Sequence, residues 1–362
     1  MQQEESLFKT EGKKTRGDWY RYYSSQKRDA LLEQCKTQNV KLSNSSYIKK
    51  SKLIELLMQQ RNPKNRVISN DISSTDSYRR KTSLKKQKSN SRLTYPNRFN
   101  GSLEQQQGPR EYMEDTFVVS KFDDMTLYGV FDGHGGDQVS NILPKLMSER
   151  LMKGLHPSIR YHNSKLKQHI TKTCLEIDQY LSKQGEARDA GSTATMLLHI
   201  PPLAHLINIG DSRTILARSK NNNGYTLLKT STDHKPDLTR EHERIVQSGG
   251  SVSQEMDDDA RVDGVLAMSR ALGDHELKYY THPQSQEYGP VSSRPEIQSI
   301  SLENDQKYLA VLASDGLWDV VDNEKALKYV HHFGVAQAAK PLTSFALEKG
   351  SSDNITTLIV QL

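Results

Sequence analysis

Hydrophobic and polar positions change period along this chain, and the changes mark the elements. Thr116-Phe-Val-Val119 alternates, and an apolar run covers 125–131; together they predict a β-hairpin. Strands are also predicted over 191–200 and 204–209, meeting at Pro201-Pro202, and over 214–218, 309–313 and 355–360. Apolar residues recur at helical spacing over 137–154 and 164–183, where Leu166, Ile170, Cys174, Ile177 and Leu181 share one face. From Lys229 to Asp263 the chain is polar and loop-rich, with one short helix over 241–247. Nearer the start, Leu31, Leu32 and Cys35 fall on one helical face, as do Leu53, Ile54, Leu57 and Met58. A polar loop over 39–50 separates them, and Pro63 closes the second helix.

Charge divides the chain the same way. Residues 1–100 hold 23 Lys and Arg against 9 Asp and Glu, a net of +14, which leaves −8 for the rest of a chain whose total is +6. A basic head suits a polyanion, whereas an acidic body suits cations. Residues 1–17 read as disordered, 18–63 as a small helical module, 64–100 as a basic Ser-rich linker, and 101–362 as the folded body. No apolar run reaches the length of a membrane span, and the first residues lack a secretory pattern. Cys35 and Cys174 lie too far apart in the sequence for a disulfide framework or a Cys-type zinc site. They fit a reducing compartment, cytoplasmic, nuclear or both.

The candidate chemistry begins at Tyr128-Gly-Val-Phe-Asp-Gly-His-Gly-Gly136. A buried strand stops at Asp132, and glycines let the backbone turn tightly. A carboxylate, a freed carbonyl at Gly133 and the His134 imidazole would project from one strand end. Mg²⁺ and Mn²⁺ favour such oxygen donors, though a Gly-rich hairpin carrying an exposed Asp reads equally well from this stretch alone. Asp132 and Asp315 each follow an apolar run and precede Gly, and Asp353 sits just ahead of one. Three convergent carboxylates would repel unless cations sat between them, and metal-bound water becomes a nucleophile near neutral pH. The hairpin would bring Arg110, Glu114 and Asp115 to the same end.

Eight blocks then stand in order: Arg110-x-x-Met-Glu-Asp115, Phe131-Asp-Gly-His-Gly-Gly136, Gly191-Ser-Thr-Ala194, Gly210-Asp-Ser-Arg213, Ala267-Met-Ser-Arg-Ala-Leu-Gly-Asp274, Arg294-Pro-Glu-Ile297, Ala313-Ser-Asp-Gly-Leu-Trp-Asp319 and Ser352-Asp-Asn354. In these the body resembles the metal-dependent type 2C protein serine/threonine phosphatases. The resemblance implies an α+β fold, an α-β-β-α sandwich of two antiparallel sheets flanked by helices. It implies two Mg²⁺ or Mn²⁺ ions: Asp132 bridging, the Gly133 carbonyl on one, Asp315 and Asp353 on the other. Glu114 and Asp115 would hold metal-bound waters, and Asp274, another family acid, would likewise act on the metals indirectly or through water. Arg110 would bind the substrate phosphate and His134 would protonate the leaving oxygen. Asp319 would serve a third, weaker metal, but its usual partner three residues before Gly-Ser-Thr is Arg188 here, with Asp189 next. The stretch 233–265 corresponds to a mobile flap, acidic at Asp257-Asp-Asp259. Substrates would be phosphoproteins, and the catalytic domain a monomer that does not enter membranes.

The head resembles the SAP-type helix–extended-loop–helix module, a small DNA-binding motif. The matching residues are Ala30-Leu-Leu-Glu-Gln-Cys35, Asn39-Val-Lys-Leu42 and Lys50-Ser-Lys-Leu-Ile-Glu-Leu-Leu57, without the loop glycine usual there. Nucleic acid is one expected partner. A helical hairpin with a solvated basic face, or a protein-docking module, is the alternative. In the linker, Arg79-Arg-Lys-Thr-Ser83 resembles a basophilic kinase site and Lys85-Lys-Gln-Lys88 part of a nuclear import signal.

Overall fold

The computed structural model describes residues 99–184, 190–220, 223–254, 259–278 and 288–362. The expected helical module over 18–63, the linker up to residue 98, Arg188, Asp189, and Asp257 and Asp258 lie outside the described residues.

In chain order the strands and helices are β1 (Gly101–Gln106), β2 (Thr116–Phe122), β3 (Met125–Phe131), β4 (Gly133–His134), α1 (Gln138–Leu146), α2 (Asn163–Leu181), β5 (Gly191–Ser192), β6 (Ala194–Ile200), β7 (Leu203–Ile209), β8 (Arg213–Ser219) and β9 (Tyr225–Thr230). They continue with α3 (Thr239–Gln247), β10 (Val252–Ser253), β11 (Arg261–Val262), β12 (Leu272–Gly273), β13 (Glu296–Ser301), β14 (Tyr308–Ala313), α4 (Asp315–Trp318), α5 (Asn323–Phe333), α6 (Ala339–Glu348) and β15 (Ile355–Gln361). One five-stranded antiparallel sheet has the order β2-β3-β6-β7-β13, and the other β1-β15-β14-β8-β9. A three-stranded sheet, β4-β5-β12, sits apart from both.

The two-residue period of a strand explains the layering. Leu309, Val311 and Ala313 of β14 pack with α4, α5 and α6, whereas Ala310 and Leu312 pack with Leu358 and Val360 against Tyr128, Val130, Leu197 and Leu206 of the other sheet. Val118, Leu127 and Met196 on the far face of that sheet meet α1 and α2 through Leu143, Ile170 and Cys174. Each sheet therefore has one face on the other and one under helices, which is the expected α-β-β-α sandwich.

The expected hairpin is β2–β3, in register from Thr116 opposite Phe131 to Phe122 opposite Met125. The helix expected over 137–154 is not uniform: α1 gives way to a π turn, Met147–Met152. Pro144 has no N–H to give the Ser140 carbonyl one turn back, and the Thr116 hydroxyl donates to that carbonyl instead, at 2.7 Å. Between Asp315 and Asp353 the structure adds three helices, and it adds strands β1, β9 and β13, none of which the hydrophobic pattern singles out.

Candidate metal centre and phosphate site

Register brings the acids to one end of the sandwich. Thr116 faces Phe131, so Asp115 before β2 lies beside Asp132 after β3. Ala313 faces Thr357, so Asp315 beyond β14 and Asp353 ahead of β15 share that end. Arg213 opposite Ala313 brings Asp211, in the turn between β7 and β8, to the same place. The turn at Asp132 is fixed by two of the sequence blocks. Asp132 donates its backbone N–H to the Thr193 hydroxyl at 3.1 Å, Thr193 returns its N–H to the Asp132 carbonyl at 2.9 Å, and Thr193 Oγ1 meets Ser212 Oγ at 2.7 Å. Gly133 must be glycine, because a Cβ there would lie 2.5 Å from the Glu114 carbonyl and 2.6 Å from Ser140 Oγ.

Burial first, then the neighbouring Asp315, Asp115, Asp211 and Asp353, push the Asp132 carboxyl well above its ordinary range. Burial, then Asp211, Asp319 and Asp353, do the same to Asp315, against Lys235. Asp115 is pushed up to about 6, chiefly by burial, although the Ser314 hydroxyl donates to its Oδ2 at 2.8 Å. One oxygen each of Asp115, Asp211 and Asp315 is buried with no hydrogen-bond partner. Two cations of the chain offset part of this charge. Arg110 Nη2 lies 2.5 Å from Asp353 Oδ2, and Lys235 Nζ lies 2.6 Å from Asp211 Oδ2.

Among the described residues, no three His, Cys, Asp or Glu side chains form a closed ligand cage. The donor set nonetheless fits hard divalent cations: only carboxylates and backbone oxygens, mutually repelling, with buried lone pairs unused. The donors that the resemblance assigned to the metals are Asp132, the Gly133 carbonyl, Asp315 and Asp353, with Glu114 and Asp115 assigned to metal-bound water. Asp319 is pushed up to about 6 by burial first, with Asp211, Asp259 and Asp233 adding to it and Lys235 opposing. It thus belongs to the same charged group.

Asp274 meets the imidazole, its Oδ2 2.7 Å from His134 Nε2. Burial opposes protonation of His134, but Asp274, then Asp211 and Glu114, outweigh it and raise the imidazole pKa. The ring's Nδ1 is buried without a partner.

Three residues matter here that sequence reasoning gave no role. Asn354 holds the loop that carries Arg110: it donates to the carbonyls of Gln107 and Tyr112 at 2.8 and 3.0 Å and accepts the Glu114 N–H at 2.8 Å. Asp211 repeats the signature that exposed Asp132, an acid at the end of an apolar run beside a glycine, and could have been found by it. Lys235 is placed through Arg213, whose fork grips the nearby Asp233 at 2.9 and 2.6 Å while lying over the Trp318 ring. The stretch read as a flap is therefore anchored where it starts. A second anchor is Glu241 on α3, buried, which takes Arg270 at 2.5 Å and Arg244. Burial alone would raise Glu241, but the arginines hold it far below the usual carboxylate range.

Crowded carboxylates and an arginine thus share one end of the sandwich. Residues 99–355 match the family Protein phosphatase 2C, and the chain belongs to that family. It is 37% identical over 260 residues to probable protein phosphatase 2C 7 of Oryza sativa subsp. japonica, covering 70% of this chain and 63% of that one. Probable protein phosphatase 2C 52 of the same plant is 38% identical over 261 residues, and the match spans 48% of its length. The serine-threonine phosphatase 2C from Toxoplasma gondii shares the fold, with a TM-score of 0.60 at 21% identity over 74% of this chain and 98% of that one.

Proposed function

We propose that the chain is a metal-dependent protein phosphatase that hydrolyses phosphoserine and phosphothreonine with two Mg²⁺ or Mn²⁺ ions. The observation that carries this reading is Asp132, buried amid Asp315, Asp115, Asp211 and Asp353, which five distant segments deliver to one strand end. Bound there, the ions would supply charge neutralisation and an activated water. Asp132, the Gly133 carbonyl, Asp315 and Asp353 would hold them, with Glu114 and Asp115 orienting bound water.

The chain's own groups do the rest. Arg110, 53% exposed, offers a permanently charged fork to phosphate oxygens. The loop that carries it is fixed by Asn354, so the phosphorus is positioned rather than merely attracted. His134, held through Nε2 by Asp274, would supply the proton for the leaving seryl or threonyl oxygen. Turnover of a phosphothreonine peptide with Mn²⁺, abolished by EDTA and restored by added Mn²⁺, is the expected result. Turnover that persists in EDTA would remove the reading.

The charge asymmetry favours a second, separable role. The basic first hundred residues would direct the phosphatase to a polyanion or partner, in the cytoplasm or nucleus. A salt-dependent shift of labelled duplex DNA by the full chain tests the nucleic-acid form of this.

A further inference from the structure

His134 and Asp274 meet across a glycine, on a turn that does not hold itself. Gly191 of β5 pairs with His134 of β4 on one side and with Gly273 of β12 on the other. A Cβ on Gly191 would lie 2.1 Å from Asp274 Oδ2 and 2.4 Å from His134 Nε2, so the contact passes directly over that residue. Asp274 itself is left-handed, with φ 48° and ψ 41°, and follows Gly273 at φ 86°. That conformation is uncommon outside glycine, and Asp is one of the residues that can adopt it, so the surroundings help to select it.

What helps to select it comes from α2. Asp178 is fully buried there, and its Oδ1 accepts the Gly273 N–H at 2.9 Å and Lys278 Nζ at 2.7 Å. Lys278 is also fully buried and gives a second bond to the Ala271 carbonyl at 2.9 Å. His275 donates to the Asp178 carbonyl at 3.1 Å. The segment 271–278 is thus tied at both ends to one carboxylate, with Asp274 between the ties. Burial works against an ionised Asp178, but Lys278 and His275 outweigh it and hold the carboxyl below its ordinary range. Such a pair adds little net stability over an apolar pair of the same size, so its worth lies elsewhere, in geometry.

We propose that the buried Asp178–Lys278 pair is a positioning unit for phosphate-ester cleavage: through Gly273 it holds Asp274 on His134, and so fixes the ring that protonates the leaving oxygen. This rests on the phosphatase reading of the site. Neither residue touches substrate.

The leaving group separates this role from a merely structural one. An alkoxide leaves poorly unless protonated, whereas p-nitrophenolate does not need the proton. The full chain with Mn²⁺ is assayed on a phosphothreonine peptide and on p-nitrophenyl phosphate, in two double variants. Asp178→Leu with Lys278→Met removes both charges and the acceptor for Gly273. Asp178→Asn with Lys278→Met removes the charges but keeps an oxygen for that N–H. The first is expected to lose about 100-fold in kcat on the peptide, the scale of one general acid, with KM little changed and the aryl ester affected by less than about threefold. The second is expected to keep the wild-type ratio of the two rates. An equal loss on both substrates, or none on either, overturns the proposal. If the first variant does not fold, Asp178→Val with Lys278→Met, which also removes the acceptor for Gly273, takes its place and is judged the same way: a selective loss on the peptide supports the unit, and an unchanged ratio overturns it. A wild-type chain that cleaves neither ester would instead remove the phosphatase reading itself.

Discussion

Arg110 and Asp353 lie 243 residues apart, yet Nη2 of one sits 2.5 Å from Oδ2 of the other. The group proposed for phosphate therefore rests on a carboxylate proposed for metal, and substrate must exchange one anion for another on the same fork. Arg110→Ala is expected to raise KM for a phosphopeptide about 10- to 100-fold, the worth of a charge-assisted hydrogen bond. Arg110→Lys should recover little of it, because an ammonium cannot reproduce the fork. Steady-state kinetics on both variants would decide, and an unchanged KM in the alanine variant would take Arg110 out of phosphate binding.

Asp132→Asn deletes the charge around which the others crowd. Peptide hydrolysis should fall by about a thousandfold or more, and Mn²⁺ should no longer raise Tm. In EDTA the same variant should melt above the wild type, since one buried carboxylate fewer remains to repel its neighbours. Thermal melts with and without Mn²⁺ read both effects.

Lys235→Met leaves Asp211, only 1% exposed, without its cation. A broken buried pair costs about 3–5 kcal/mol, measurable by urea unfolding in EDTA. Adding Asp211→Asn to the same chain should return most of that loss. A single variant as stable as the wild type would show that Lys235 does not carry the charge of this corner.

Glu241 gives an acid limb outside the metal centre. Its folded pKa is depressed, so its share of stability is present above the unfolded carboxylate value of about 4.3 and is lost as pH falls below it. Glu241→Gln should destabilise the chain by about 3–5 kcal/mol at pH 7, leaving Arg270 buried with less to pair against. The gap between variant and wild type should narrow as pH drops below about 4, because the unfolded glutamate then takes up a proton that the folded, arginine-paired one does not. A gap that stays constant down to about pH 2 would contradict the ion-pair origin.

Strand ends were the readable part of this site. Asp132, Asp315 and Asp353 announce themselves as acids bordering apolar runs, and the hairpin period by itself places Asp115 beside Asp132. Asp211 carried the same mark, but its block was read only as a motif. The partners of Asp274 were not legible, because Asp178 lies on the buried face of a helix whose apolar period accounts for that face without it. Lys278 is an ordinary surface residue by composition, and only burial reveals it. α4, α5 and α6 were missed for a related reason: the conspicuous β14 and β15 frame a stretch where Leu317, Leu327, Val330 and Leu342 are spread over short elements. Those helices are short, 4, 11 and 10 residues. Asn354 gave no signal, since its three hydrogen bonds reach back some 240 residues.

The pairing of β1 with β15 sets an order of events during translation. The first strand of the sandwich, Gly101–Gln106, has β15 as its one neighbour, and that partner is made some 250 residues later. While the ribosome is still producing α6, β1 waits unpaired and Asp353 does not yet exist, so the cluster cannot close on a cation. Until Ile355–Gln361 is made, β1 has no partner strand among the described residues and the proposed cation site lacks one of its carboxylates.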